Sequence, residues 1–293
     1  MTILSLLDRL SAADVPSGPT PRRHLLRQLG QTGLRAAGAV LPLALPAQAA
    51  PTETTFDATL LLLKLEDLLG SFYGQALSAP VLTGPAQAAV RPDFERLLRQ
   101  QQGHAQFLRA ALTATGITPP PSPSFDFSGR KNNPFNPVLF PAVFTDYGAF
   151  LQLAQQLEDA SAATYLGQAA FFVTDKPLLD AVLRMQSVEA RHASHLRTLR
   201  RAAGPAAVKS WPSTADAAPA PAVLVPSTAG SAAAPVSIYT FEANETQVVT
   251  GTNTVPFPTV LTGNTAVQFR APAEAFDEPL PTLQASALLG IFG

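Results

Sequence analysis

Cysteine is absent from this 293-residue chain, which excludes disulfides, thiolate metal sites and a thiol nucleophile. Charge is scarce as well: Asp, Glu, Lys and Arg make up 14% of residues, against roughly 25% in ordinary soluble domains. The formal net charge of −1 offers no basic surface for nucleic acid, so none is expected as a partner. There is no G-x-S-x-G, no P-loop and no dinucleotide fingerprint. Nor does any run have the length and apolarity of a membrane span. A metal site would therefore have to use His, Asp and Glu, and histidine occurs only at positions 24, 104, 192 and 195. What remains is length enough for one or two domains with a proper core.

The first 49 residues read as a targeting segment. "PRRHLLRQLG" (21–30) carries Arg22-Arg23, then Leu25 and Leu26, then Arg27, and it is similar to a twin-arginine export signal with Pro21 and Leu25 in place of the commoner Ser and Phe. The Ala-rich run "AAGAVLPLALPAQAA" (36–50) follows and contains Ala47-Gln48-Ala49, an A-x-A cleavage pattern. The expectation is an exported, periplasmic or otherwise extracytoplasmic protein cleaved near Ala49. The other reading is a retained amphipathic helix beginning at "ILSLLDRL" (3–10).

Residues 50–203 turn helical. A first helix over 54–78 places Phe56, Leu60, Leu63, Glu66, Leu69 and Tyr73 at helical spacing. A second, about 91–115, carries Phe94, Leu97, Leu98, Gln101, His104, Leu108 and Leu112, and Gly116 with the prolines at 119–121 ends it. The Pro, Ser and Asn-rich stretch 118–140 is too long for a tight turn and long enough to cross a bundle. A third helix, about 141–171, aligns Tyr147, Leu151, Ala154, Glu158, Ser161 and Tyr165; a fourth, about 177–202, aligns Leu178, Val182, Met185, Glu189, His192, Leu196 and Leu199. This is an all-α, ferritin-like four-helix bundle with a long crossover between its second and third helices. Residues 204–293 form a low-charge, Ala/Pro-rich extension that cannot make its own core and should pack on the bundle or stay mobile. Minor β structure is expected within it at 236–242, 256–262 and 266–270, the last two around a turn at Gly263-Asn264. Its apolar end should dock.

Each helical stripe holds a polar residue where the core should be apolar: Glu66, Gln101 with His104, Glu158, and Glu189 with His192. Burying carboxylates costs several kcal/mol each unless they are protonated, paired or metal-bound. An i, i+3 pair lies about 60° apart around a helix, so both members can reach one inter-helix site. Four helices pointing acids inward fit a plan of one Glu from each of two helices and Glu-x-x-His from each of the other two, around two metal ions. Tyr73 and Tyr165 sit within reach, either as core aromatics or as hydrogen-bonding supports. His195 falls on the flank of the fourth helix.

The segments "LLKLEDLLGSFY", "RQQQGHAQFLRAAL", "LEDASAATYLG" and "SVEARHASHLRTL" together resemble the ferritin-like domain of exported and desiccation-related bacterial proteins over 54–202. The resemblance implies a carboxylate-bridged di-iron or di-manganese centre and Glu-x-x-His on the second helix. Here "QQGH" supplies Gln101 instead of the acid. A Gln carbonyl can ligate but is neutral and cannot bridge as a carboxylate does, and Asp67 lies about 100° round the helix from Glu66. Three carboxylates leave +1 with two divalent ions or −1 with one, an imbalance on the order of several kcal/mol. On this reading Glu189 and His192 supply the intact half of a pseudo-symmetric site and Gln101 marks the degraded half. Two functions stay open. One is an iron- or manganese-binding protein of stress protection, holding one or two ions. The other is a non-catalytic envelope scaffold with a vestigial site. A homo-oligomer is compatible with either.

Overall fold

In a computed structural model of the chain, residues 53–204, 207–217, 223–227, 235–244, 246–250, 253–256 and 277–293 are described. The expected targeting segment 1–49 and the turn at Gly263-Asn264 lie outside them. All described elements, apart from parts of two short strands at 246–250 and 253–256, belong to one unit.

Three of the four long helices start on a side-chain cap. Thr54 opens α1 (Thr55–Ser78) with a capping box: its hydroxyl accepts from the Asp57 N–H, and the Asp57 carboxylate accepts from the Thr54 N–H. Such a cap is worth about 1 kcal/mol. α2 (Arg91–Ala114) opens on Pro92 instead and closes at Thr115, before Gly116 at φ +81°. α3 (Tyr147–Gln168) is capped by Asp146, whose carboxylate accepts from Ala149 N at 2.7 Å. α4 (Lys176–Ala203) is capped by Asp175.

The start of α3 differs from the expected 141. Residues 141–145 are turns, and Asp146 is extended at φ −111°, ψ 122°, so the helix cannot run back through it. The apolar side chains that suggested a longer helix belong to the crossover: Phe140 and Val143 are buried against the bundle. Phe56, expected on the buried stripe of α1, is 39% exposed.

α1 packs chiefly on α2, and α3 on α4; the hairpins meet through α1–α3 and, more thinly, α2–α4. The crossover 115–146 joins them with Phe125 and Phe127 turned inward. A terminal helix, α5 (Thr282–Phe292), seals that crossover. Phe292 lies 5.6 Å from the Phe127 ring and 5.7 Å from the Phe140 ring, and its carbonyl accepts from Asp126 N at 2.7 Å. The apolar end of the chain thus docks as a helix, because eleven residues with almost no charge are stable only where a core receives them.

The extension covers α3, which is consequently buried on nearly all sides. Val223 N donates to Gln156 Oε1 at 2.7 Å, and Leu280 N to Ala163 O at 2.9 Å. At Gly167 a Cβ would collide with the Leu280 carbonyl oxygen, so glycine is what lets this strap lie on the helix backbone. Within the extension β1 (Leu224–Val225) pairs antiparallel with β2 (Val236–Ser237). The strand expected over 236–242 ends there. Residues Ile238–Ala243 form a 3₁₀ helix that buries Ile238, Tyr239 and Glu242, a spacing near three that a strand cannot give.

The core is not continuous. One apolar cluster holds Leu65, Leu69, Phe72, Leu97, Leu157, Ala160 and Leu196; another holds Leu62, Ala105, Leu108, Tyr165, Val182 and Met185. Fully burying each Leu, Val or Met contributes about 1.5–3 kcal/mol. On α2 and α4 the break between the clusters falls at the polar residues singled out above, and on α1 and α3 it falls within a turn of Glu66 and Glu158.

Candidate metal centre

Into that break α1 sends Glu66, α2 Gln101 and His104, α3 Glu158, and α4 Glu189 and His192. Glu66, Gln101, Glu158 and Glu189 are wholly buried, His192 is 5% exposed, and His104 is half-buried. The structure brings all six together. Tyr73 and Tyr165 join them as hydrogen-bond donors: Tyr73 Oη donates to Glu158 Oε1 at 2.6 Å, and Tyr165 Oη to Glu66 Oε1. Ser161 Oγ donates to Glu189 Oε2 at 3.2 Å. His195 stays out, 3.2 Å from Asp93 on the flank. So does Asp67, whose carboxylate pairs with Arg109 at 2.7 Å.

The ligand-type groups fall into two sets, Glu66/His104/Glu189 and Glu158/Glu189/His192, and within each set one donor atom per residue lies within 4.8 Å of the others. Glu189 is common to both and divides its oxygens. Oε1 lies 2.9 Å from His104 Nδ1, while Oε2 lies 3.7 Å from His192 Nδ1. Each set also has its own Glu and His besides the shared Glu189. Gln101 is the one neutral residue among the six.

The two sets differ in how well they are satisfied. In the first, among the described residues, Glu66 Oε2 is buried without a partner, and His104 Nδ1 and Glu189 Oε1 are buried with no aligned hydrogen bond, held only by their mutual ion pair at 2.9 Å. Three buried donor atoms converging from three helices, one of them unpaired, are an arrangement a cation would satisfy by replacing the imidazole proton, and N/O donors of this kind suit iron, manganese or zinc. In the second set the Gln101 amide nitrogen is 3.0 and 3.3 Å from the two Glu158 oxygens, 3.1 Å from Glu189 Oε2 and 3.4 Å from His192 Nδ1. His192 Nε2 faces Gln100 Oε1 at 2.7 Å, a partner that sequence reasoning passed over.

Crowding and burial dominate the electrostatics. Burial first, then the Glu189 charge, pushes Glu66 up to about 8 and Glu158 up to about 7. Glu189 goes the other way: burial opposes its charge, but the facing imidazoles of His104 and His192 outweigh that and hold it below the usual carboxylate range. Burial also disfavours charged imidazoles, yet Glu189 and Glu66 raise His104 to about 10, and Glu158 and Glu189 raise His192 to about 10. Burial and the adjacent carboxylates push both tyrosines well above their usual range, so they remain donors.

A surface cleft of about 280 Å³ between α2 and α4 has His192, Gln100, Asp93 and His195 on its walls. It brings solvent up to the edge of the polar layer where the hairpins are most thinly joined.

A second buried polar assembly was not anticipated. Arg197, fully buried on α4, donates to both oxygens of Asp159 on α3 and, at 3.0 Å, to Asp216 in the extension. Tyr239 Oη donates to Asp159 at 2.6 Å, and the Arg197 guanidinium lies 5.8 Å from the centre of the Tyr239 ring. The signal for it was the position of Asp159, beside Glu158 on a helix with little exposed surface; a carboxylate there needs a buried partner.

Among the described residues no helix is long and apolar enough to cross a membrane. No curated protein matches the chain at a significant level. A family model described as a ferritin-like domain matches residues 56–202, spanning α1 through α4 and every residue of the polar layer. With half the chain covered by that match, this protein belongs to the ferritin-like domain family.

Proposed function

We propose that this is an exported ferritin-like protein that binds iron or manganese in its four-helix core and acts in stress protection. The observation that carries metal binding is the convergence of buried donor atoms on Glu66, His104 and Glu189, none of which makes an aligned hydrogen bond. A protein that used the layer only as scaffold would gain by pairing Glu66 Oε2, since an unsatisfied buried polar group costs about 1–3 kcal/mol. A bound iron or manganese ion would supply one-electron chemistry toward Fe(II) or a peroxide. The chain's own residues do the positioning. Tyr165 fixes Glu66 and Tyr73 fixes Glu158 through one oxygen each, which sets the direction of the other oxygen. The apolar clusters on either side keep bulk water from the layer.

Anaerobic loading of the full chain with Fe(II) or Mn(II), desalting and elemental analysis should find metal retained in proportion to protein. Metal lost entirely on desalting would favour the competing reading, a ferritin-like envelope scaffold, which the Gln101 substitution supports. Export rests on Arg22-Arg23 and Ala47-Gln48-Ala49. Replacing both arginines by lysine should leave the protein unprocessed inside the cell, as read by fractionation; unchanged processing would remove the twin-arginine route.

A further inference from the structure

We propose that the side-chain amide of Gln101 stands in for the second cation, so that the core holds a single ion, at Glu66, His104 and Glu189. The inference rests on the metal-binding reading above and narrows it to one pocket.

The argument begins from what surrounds the Gln101 nitrogen. Within 3.3 Å it has Glu158 Oε1, Glu158 Oε2 and Glu189 Oε2, and His192 Nδ1 is 3.4 Å away. These side chains are the whole of the Glu158/Glu189/His192 set. Turned over, the amide would set its carbonyl against three carboxylate oxygens, acceptor against acceptor wherever they are ionised, so the observed orientation is the favoured one. A carboxamide –NH₂ therefore sits among the ligand groups of this set and gives its oxygens the hydrogen bonds that a cation would otherwise replace. Neither Glu158 nor His192 has a buried side-chain atom left without a partner among the described residues.

The other set is the converse. Among the described residues no amide, hydroxyl or guanidinium donor reaches Glu66 Oε2 or Glu189 Oε1; Glu189 Oε1 faces only the His104 imidazole, 2.9 Å away without the alignment of a hydrogen bond, and Glu66 Oε2 has no partner. Gln101 Oε1, the far end of the same amide, is likewise buried without a partner, and a carbonyl oxygen is a donor that hard and borderline cations accept. One substitution thus does opposite things to the two pockets. It fills one with a neutral donor and leaves the other with open ligand atoms. The shared Glu189 keeps one oxygen for each.

The test is ion count and electronic coupling, not turnover. Full-length protein loaded anaerobically with excess Mn(II) and desalted should retain one Mn per chain, with the magnetic resonance spectrum of an isolated ion. Gln101→Glu should retain two, with an exchange-coupled spectrum. His104→Gln should take the unsubstituted protein from one to none, and His192→Gln in the Gln101→Glu background should return the count from two to one. Circular dichroism checks that each variant folds, and Glu66→Gln reads the same pocket should His104→Gln not fold. Two ions in the unsubstituted protein would overturn the inference while leaving metal binding intact. So would one ion that survives His104→Gln, or none where Gln101→Glu binds two. No ion in either the unsubstituted protein or Gln101→Glu would overturn the metal-binding reading itself.

Discussion

Arg197→Met is expected to destabilise the fold by about 3–5 kcal/mol, the usual cost of removing one partner from a buried ion pair. Arg197 is fully buried, as Asp159 and Asp216 nearly are. Its loss leaves two carboxylates without this cation in a region where, among the described residues, Tyr239, Gln155 and Ser213 still donate to them. Replacing the arginine and Asp159 together by apolar residues should recover part of the loss, because that pair's own attraction is largely offset by its desolvation; the remainder stays with Asp216, still buried without its cation. The consequence is not confined to α4. Asp216 sits on a 3₁₀ turn at Thr214–Ala217 and Tyr239 on another at Ile238–Ala243, so the guanidinium ties the extension to the α3–α4 hairpin. Urea unfolding of the single and double variants measures both quantities. A single-variant loss below about 1 kcal/mol would show that water reaches the pair and that the extension is held by its apolar contacts alone.

That network also shows where the sequence ran out. Arg197 stands in "HLRTLRR" beside Arg200 and Arg201, a pattern that reads as a solvated helix face. Its burial depends on residues from the extension, which carries no helical or strand period to announce where it lies. The same holds for α5: its apolar character was plain, its docking under Phe127 and Phe140 was not. The four long helices were legible because each stripe repeats at the helical period. The end of α2 was legible because Gly116 and the prolines that follow mark it. The crossover was misjudged only at Pro141–Thr145, where apolar side chains (Val143 and Phe144) packing as loop look like the first turn of a helix.

The polar layer was legible for a different reason. A polar residue on an apolar stripe is costly, and six at matching depth on four helices have few explanations besides one another. What spacing could not give is which atoms are left open. The sequence placed the intact ligands at Glu189 and His192, whereas the open donor atoms are on Glu66, His104 and Glu189. The difference comes from the orientation of one amide, and that orientation is decided by Glu158 and Glu189, 57 and 88 residues away in the chain.

The metal-free protein should lose stability steadily as pH rises from about 5 to about 10, opposite to the rise toward neutrality that paired surface carboxylates commonly give. His104 and His192 are raised in the folded state to about 10 by the facing carboxylates. Their contribution is fully present below the unfolded value near 6.5 and is lost as pH climbs through 10. Glu66 and Glu158, raised chiefly by burial to about 8 and about 7, act with the same sign over a lower window, from the unfolded value near 4.5 upward, because ionising them puts uncompensated charge in the layer. Glu189 alone runs the other way, its stabilisation appearing as pH rises to its unfolded value and constant above it. Above pH 5 every shifted group in the layer therefore favours lower pH, for a total on the order of a few kcal/mol. A cation reverses the slope. It binds deprotonated imidazole and carboxylate, so its affinity grows as the competing protons leave, and the increase in melting temperature on adding Mn(II) should be small near pH 6 and large near pH 9. Thermal melts across that range, with chelator and with Mn(II), read both slopes. Parallel curves would mean that the ion binds away from these residues, and a chelated protein whose stability rises between pH 6 and 9 would mean that the layer is not as dry as its burial indicates.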